Sequence, residues 1–237
     1  MANQQSLSLG RKPTHRLYRV TGEGDSANWT PIGAETPELP GNISPFISSF
    51  EIAAHFTIGR ADRALELIRR SWGWYANNPN GTQSTVIEGY LINGTFGYRS
   101  SRGYDYDASY VSHSHGWSAG PTASLTNYVL GLNILSPAGA TWKLAPQFGD
   151  LKSVEGGFVT SLGKYQASWN LVGDGYVLEY NVPSETTGTL VLPCVSYGKV
   201  PSIWIDGRLV RATNFSRDGD GVTLSAQGGS HTIVVRE

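Results

Sequence analysis

The apolar positions of the chain change period near residue 139. Before it they recur three and four residues apart. Phe46, Ile47, Phe50, Ala53, Ala54 and Ile58 mark one helix, with Ser44 as N-cap, Pro45 in the first turn and Gly59 to end it. Ala64, Leu65, Leu67, Ile68, Trp72 and Tyr75 mark a second helix between Arg60 and Tyr75. Its acids, Asp62 and Glu66, come before Arg69 and Arg70, as the helix dipole favours. Asn77-Asn78-Pro79-Asn80-Gly81 then breaks the chain. A third helix is predicted from about Pro121 to Leu132, with Leu125, Tyr128, Val129 and Leu132 as its apolar stripe. Between the second and third helices, residues 80–118 carry little helical signal, and so long a loop inside a compact domain is usually functional.

After Gly139 the period becomes two. Candidate strands are Trp142–Ala145, Gly157–Thr160, Tyr165–Trp169, Tyr176–Tyr180, Gly188–Leu192, Ser202–Ile205, Val222–Leu224 and His231–Val235, with glycine, proline and aspartate between them. Short alternating strands with frequent turn signals predict an antiparallel β-sandwich. The expected fold class is therefore α+β and multidomain. Residues 1–42 read as an extended N-terminal arm rich in Gly, Pro, Ser and Asn, residues 43–136 as a helical segment, and residues 137–237 as the C-terminal β-sandwich.

Composition narrows the function. With 237 residues the chain has enough length for one large domain or two small ones. A net charge of −1 gives no electrostatic case for nucleic acid or an anionic membrane. No segment approaches the ~18 consecutive apolar residues of a membrane span. The N-terminal residues are polar and basic, without the apolar core of a secretory signal, so the compartment stays unassigned. Cys194 is the single cysteine, so no intrachain disulfide forms. Low charge with 29 glycines, 7 tryptophans and 12 tyrosines suits a carbohydrate-active protein, and also many ordinary β proteins.

The candidate chemistry lies in the long loop. Glu88, between Ile87 and Gly89, is either a carboxylate that activates water or a solvated loop residue. His113 and His115 are two apart, and on a strand they would share a face. No acid or cysteine stands at ligand spacing from them, so no metal and no other cofactor is expected. Hydrogen bonds to sugar hydroxyls, or internal ones, are their expected use. Asp105 and Asp107 are candidates either for a cleft or for turn capping. Trp74 and Trp117 offer flat faces for a sugar ring, whereas Trp72 falls on the apolar stripe. Glu51 and His55 are i, i+4 neighbours with scope for a polar contact.

From about Trp29 to about Trp169 the sequence resembles fungal α-L-rhamnosidases of glycoside hydrolase family 78. The matching stretches are Pro37-Glu38-Leu39-Pro40, Ser44-Pro45-Phe46, Phe50-Glu51, Ala54-His55, Arg69-Arg70-Ser71-Trp72-Gly73, Ser84-Thr85 before Glu88-Gly89-Tyr90, Ser112-His113-Ser114-His115-Gly116-Trp117, Leu144-Ala145-Pro146-Gln147 and Gly149-Asp150-Leu151. The resemblance implies inverting hydrolysis of terminal α-L-rhamnose by an (α/α)6, six-hairpin barrel followed by a β-sandwich. It implies that Glu88 is the general base and that His115 touches the bound sugar, with His113 and Trp117 beside it. The family's general acid lies in an earlier barrel region with no counterpart here.

The resemblance is thus to the last barrel helices and the terminal sandwich, carrying the base half of a site that is weak or inactive alone. A rhamnose-containing carbohydrate is the expected ligand. A non-catalytic carbohydrate-binding or scaffold module is the alternative reading. Helices cut from a barrel also leave apolar surface uncovered, so self-association, or a separate N-terminal catalytic region, is an expected partner.

Overall fold

The computed structural model describes residues 41–100, 103–194, 201–210, 216–218 and 221–237. The expected N-terminal arm, 1–42, falls almost entirely outside them. The chain divides into two compact units, Met1–Ser124 and Leu125–Glu237. It is α+β, with few helices and much sheet.

In the first unit, α1 spans Pro45–Thr57. Ser44 caps it in extended backbone, its Oγ accepting from the Ile47 N–H, and Pro45 occupies the first turn. At the other end Gly59 adopts φ +71°, a left-handed conformation that terminates the helix cheaply. α2 spans Ala61–Ile68, and the helix continues through a π-helical turn, Arg69–Gly73, and one last turn, Trp74–Ala76. Ile52, Phe56, Ala64, Leu65 and Leu67 are fully buried and form the helical core. Burial of such side chains stabilises by roughly 1.5–3 kcal/mol each for the larger ones. α3, Gly120–Ser124, packs against α1 so closely that a Cβ on Gly120 would lie 2.1 Å from the Ser49 hydroxyl.

The loop region of this unit has its own core. A short antiparallel pair, β1 (Asn42–Ile43) and β2 (Tyr90–Leu91), brings the two ends of the segment together. Tyr75, Ile87, Tyr90, Tyr98 and Val111 are buried in one cluster, with Trp74, Phe96 and Tyr104 packed on it. The π-helical turn places Ser71 where its hydroxyl accepts from the buried Tyr90 phenol at 3.0 Å. Glu51 and His55 make the expected i, i+4 approach, 3.5 Å apart and both buried.

In the second unit, the helix expected to reach Leu132 stops two residues earlier, at Leu130. A π-helical turn, Leu125–Leu130, ends at Gly131, whose φ of +84° suits glycine and whose Cβ would strike the Ala145 carbonyl carbon at 2.3 Å. Leu132 instead opens β3 (Leu132–Ile134), which pairs with β4 (Thr141–Leu144). β5 (Ser153–Thr160) and β6 (Gly163–Val172) form a hairpin.

Two expected pairs of strands are single long strands. Tyr176–Tyr180 and Gly188–Leu192 belong to β7 (Gly175–Pro193), and Val222–Leu224 and His231–Val235 belong to β11 (Gly221–Arg236). β7 and β11 pair along their length, with a register shift between Gln227 and Gly229. The first half of β7 pairs with β6, and the end of β11 with β8 (Ser202–Ile205), which carries β9 (Arg208–Leu209). The other halves pair with β4 and with β10 (Ser216–Asp218). The long β7–β11 pair thus joins the strands of the second unit into one hydrogen-bonded sheet.

Trp142 of β4 meets Tyr180 of β7, 5.0 Å between ring centroids, and its indole N–H donates to the Thr186 hydroxyl at 2.9 Å. The sheet is not wholly antiparallel, as the strand pattern predicts, because β4 runs parallel to β7. β5 and β6 lie between these two strands in sequence, so no tight turn fixes their relative direction.

Candidate functional site

The segment 86–88 lies beside residues 112–115 and is tied to them by main-chain bonds. The Glu88 N–H donates to the Ser112 carbonyl and the His115 N–H to the Val86 carbonyl, each at 2.8 Å. The Thr85 hydroxyl donates to the His113 carbonyl, which closes the ladder at its other end. Ile87 is fully buried in the aromatic cluster, while Val86 and Glu88 stay partly exposed. The apolar flank of Glu88 therefore anchors the segment that presents it.

The Glu88 carboxylate is held at both oxygens. Oε1 accepts from the Tyr104 phenol at 2.5 Å and Oε2 from the Ser112 N–H at 3.2 Å. Burial first, then the Glu88 carboxylate, pushes the Tyr104 phenol up to about 12. It therefore stays a donor at any physiological pH. The Arg99 guanidinium lies 5.5 Å from the centre of the Tyr104 ring. Gly89 is required next to Glu88, since a Cβ there would sit 2.4 Å from the Tyr98 ring. Charge-assisted bonds of this kind are worth about 1.5–3 kcal/mol each, enough to fix the rotamer of a partly exposed carboxylate.

The two histidines separate. His113 is tied inward, its Nδ1 2.9 Å from the Tyr75 phenol and its ring edge-on to Phe96 at 4.8 Å. His115 lines a cleft of about 460 Å³ with Ala76, Gln83, Ser84, Thr85, Val86, Ser114 and Gly116. Among the described residues the His115 ring carries no hydrogen bond. Trp117 is 71% exposed and leans on Phe46, 5.1 Å between ring centroids.

Trp72 keeps its packing role, its indole N–H donating to the Ser118 carbonyl at 2.6 Å, and Trp74 lies against Tyr90 at 4.4 Å. Asp107 is a cap: its carboxylate accepts from the Ser109 N–H at 2.9 Å, and the bonds from Ser109 hold its pKa below the usual carboxylate range. Asp105 and Tyr106 both adopt left-handed backbone in the turn that aims Tyr104. Among the described residues no three His, Cys, Asp or Glu side chains converge as metal ligands would. No helix of the described residues is long and apolar enough to cross a membrane.

Sequence reasoning did not find Tyr104, Ser112 or Gln83. Tyr104 lies 16 residues from Glu88, and no spacing rule joins them. The only available signal was the Tyr104-Asp105-Tyr106-Asp107 run itself, which pairs aromatic rings with turn-forming aspartates.

Residues 131–202 match the family model of the bacterial α-L-rhamnosidase C-terminal domain. That segment is similar to the C-terminal domain of α-L-rhamnosidases. No curated protein sequence matches the chain. Among solved structures, the α-L-rhamnosidase from Dictyoglumus thermophilum is similar over 81% of this chain and 21% of its own, with TM-score 0.66 and 13% identity. The Streptomyces avermitilis α-L-rhamnosidase complexed with L-rhamnose matches over 81% and 18%, with TM-score 0.62 and 16% identity. The Aspergillus terreus enzyme matches over 79% and 19%, with TM-score 0.55 and 21% identity. These likenesses establish the shared fold. The chain spans about a fifth of the length of the enzymes it matches.

Proposed function

We propose that the chain is the C-terminal section of an α-L-rhamnosidase, of the fungal type that its sequence resembles, and holds the general base of an inverting glycosidase. In this reading its helices are the last of an (α/α)6 barrel. The carrying observation is the Glu88 carboxylate, partly exposed and held by Tyr104 and Ser112.

A base so placed takes a proton from water as the water oxygen attacks the anomeric carbon. The glycosidic C–O bond breaks, and its electron pair leaves with the aglycone oxygen. Water attacks the face opposite the leaving group, so the configuration inverts, and a second carboxyl roughly 6.5–9.5 Å from the first must protonate that oxygen. Glu88 supplies only the first proton transfer. The acid comes from an upstream region or another chain, and an exposed helical face that would lie against it also favours self-association.

Leaving groups divide the two halves of the mechanism. A 2,4-dinitrophenolate departs without protonation, so a 2,4-dinitrophenyl α-L-rhamnoside needs the base and not the acid. The chain should hydrolyse it slowly and leave methyl α-L-rhamnoside intact. Glu88→Gln should lower the rate by ~10²–10⁴-fold, the usual span for one proton-transfer group. A rate indifferent to Glu88→Gln would overturn the assignment.

A second reading, carbohydrate binding without cleavage, is favoured by the cleft. Its lining includes an imidazole, hydroxyls and an amide but no carboxylate. L-rhamnose binding, combined with no hydrolysis even of the activated glycoside, would select it.

A further inference from the structure

The residues that follow Tyr104 are shaped against their own preference. The Asp107 N–H donates to the Tyr104 carbonyl at 2.8 Å, which closes a four-residue turn, and the Tyr106 N–H donates to the Ser100 carbonyl at 2.6 Å. Both central residues of the turn have positive φ, +47° at Asp105 and +60° at Tyr106. That is the sign pattern of a type I′ turn, whose central pair is ordinarily Asn-Gly or Asp-Gly. Asp105 fits the pattern, whereas a bulky aromatic at the second position is an outlier. Tyr106 is 76% exposed, so no core packing forces the shape on it. Such backbone costs of order 1–3 kcal/mol and gathers at functional sites.

What the turn delivers is the Tyr104 phenol. Between Gly103 and Tyr110 every residue but Tyr104 is exposed, so this side chain is the inward anchor of the loop. Its O–H reaches Oε1 of Glu88, while the Ser112 N–H holds Oε2. The Ser112 grip comes from main chain tied directly to Glu88. The Tyr104 grip comes from a side chain that the strained turn carries in. Burial first, then the Glu88 carboxylate, pushes that phenol up to about 12. Its proton therefore stays on the phenol oxygen while water gives a proton to Glu88.

We infer that Tyr104 is the positioning residue of the Glu88 base: its O–H aims the carboxylate and favours the ionised form, the form that takes a proton from water. The inference rests on the general-base reading of Glu88 and adds the group that sets the pH range over which that base is ready. A donor to the charged form of a carboxylate favours that form, and a carboxylate held in one orientation loses less entropy on reaching the transition state. The Arg99 guanidinium, 5.5 Å from the Tyr104 ring centre, and Tyr98, whose ring a Cβ on Gly89 would strike, are two further titratable groups around the pair. Both stay in place in the variants below, so a change there reads Tyr104.

Tyr104→Phe keeps the ring and removes the donor. On 2,4-dinitrophenyl α-L-rhamnoside it should lower kcat about 10-fold, the low end for a charge-assisted bond, with KM within about twofold of the parent. The acid limb of its pH–rate profile should move up by about one pH unit, because the carboxylate without its donor protonates more readily. Carbon NMR of the full chain with labelled glutamate should show the Glu88 carboxyl titrating higher by the same step. Glycine adopts positive φ freely, so Tyr106→Gly relaxes the turn and leaves the phenol. It should keep the parent's rate and acid limb and hold or raise the melting temperature. An unmoved acid limb and carboxyl titration in folded Tyr104→Phe, with Glu88→Gln inactive, would overturn this inference alone. So would a shift in Tyr106→Gly equal to that in Tyr104→Phe. No turnover by the parent, or turnover that ignores Glu88→Gln, would overturn the general-base reading and this inference with it.

Discussion

The Tyr104 phenol donates a 2.5 Å hydrogen bond to Oε1 of Glu88. The phenol is held up to about 12, above its ordinary value near 10, by burial and then by this carboxylate. Replacing Glu88 by Gln removes the charge and leaves the burial. The Tyr104 ring, followed by NMR in a chain carrying labelled tyrosine, should then titrate at lower pH than in the parent. An unchanged titration would mean that the bond does not persist in solution.

A general consequence follows for alkaline stability. Tyr90, Tyr98, Tyr104, Tyr176 and Tyr180 all have raised phenol pKa values, in each case with burial as the first cause. A phenol with a folded pKa above its unfolded one contributes stability that is complete below about 10 and fades as pH rises through the folded value. Unfolding by urea should therefore show stability level from neutral pH to about 10 and falling steeply beyond it. A flat profile to pH 12 would contradict the burial of these rings.

The two histidines should separate by experiment as they do in space. His113→Ala removes the Tyr75 partner and the edge contact to Phe96. It should cost roughly 0.5–1.5 kcal/mol of stability, because the Tyr75 phenol loses one partner and keeps those at Thr82. His115→Ala should change stability by less than about 0.5 kcal/mol, as expected for a side chain without protein bonds. Equal losses in denaturant melts would refute the division of roles.

Gly188 lies under the Trp142 ring, where a Cβ would come within 2.4 Å of the indole. Trp142 is completely buried and packs against Tyr180 in the core of the second unit. Gly188→Ala should destabilise by about 1–3 kcal/mol through overpacking. Trp142 fluorescence during denaturant unfolding would report it, and an unchanged midpoint would show that the ring has room to move.

Local signals in the sequence located most elements but not their long-range relations. Ser44, Pro45 and Gly59 bracket α1 because capping and termination depend on neighbours in sequence. β7 is harder to read, because Pro183-Ser184-Glu185-Thr186 has turn composition yet lies within one continuous strand. A turn and a continuous strand can share such residues, and only pairing with β11 decides between them. Glu88 and His115 could be singled out by type and by resemblance. The internal use of His113 depends on Tyr75, 38 residues away, and the grip on Glu88 depends on Tyr104, so neither was legible from spacing.

The most direct test of the central claim is the rate of 2,4-dinitrophenyl α-L-rhamnoside hydrolysis by the chain and by Glu88→Gln, with the anomeric product followed by proton NMR. The account predicts slow turnover to the inverted sugar, reduced ~10²–10⁴-fold by the substitution. Turnover that survives Glu88→Gln, or that yields the retained anomer, would contradict it.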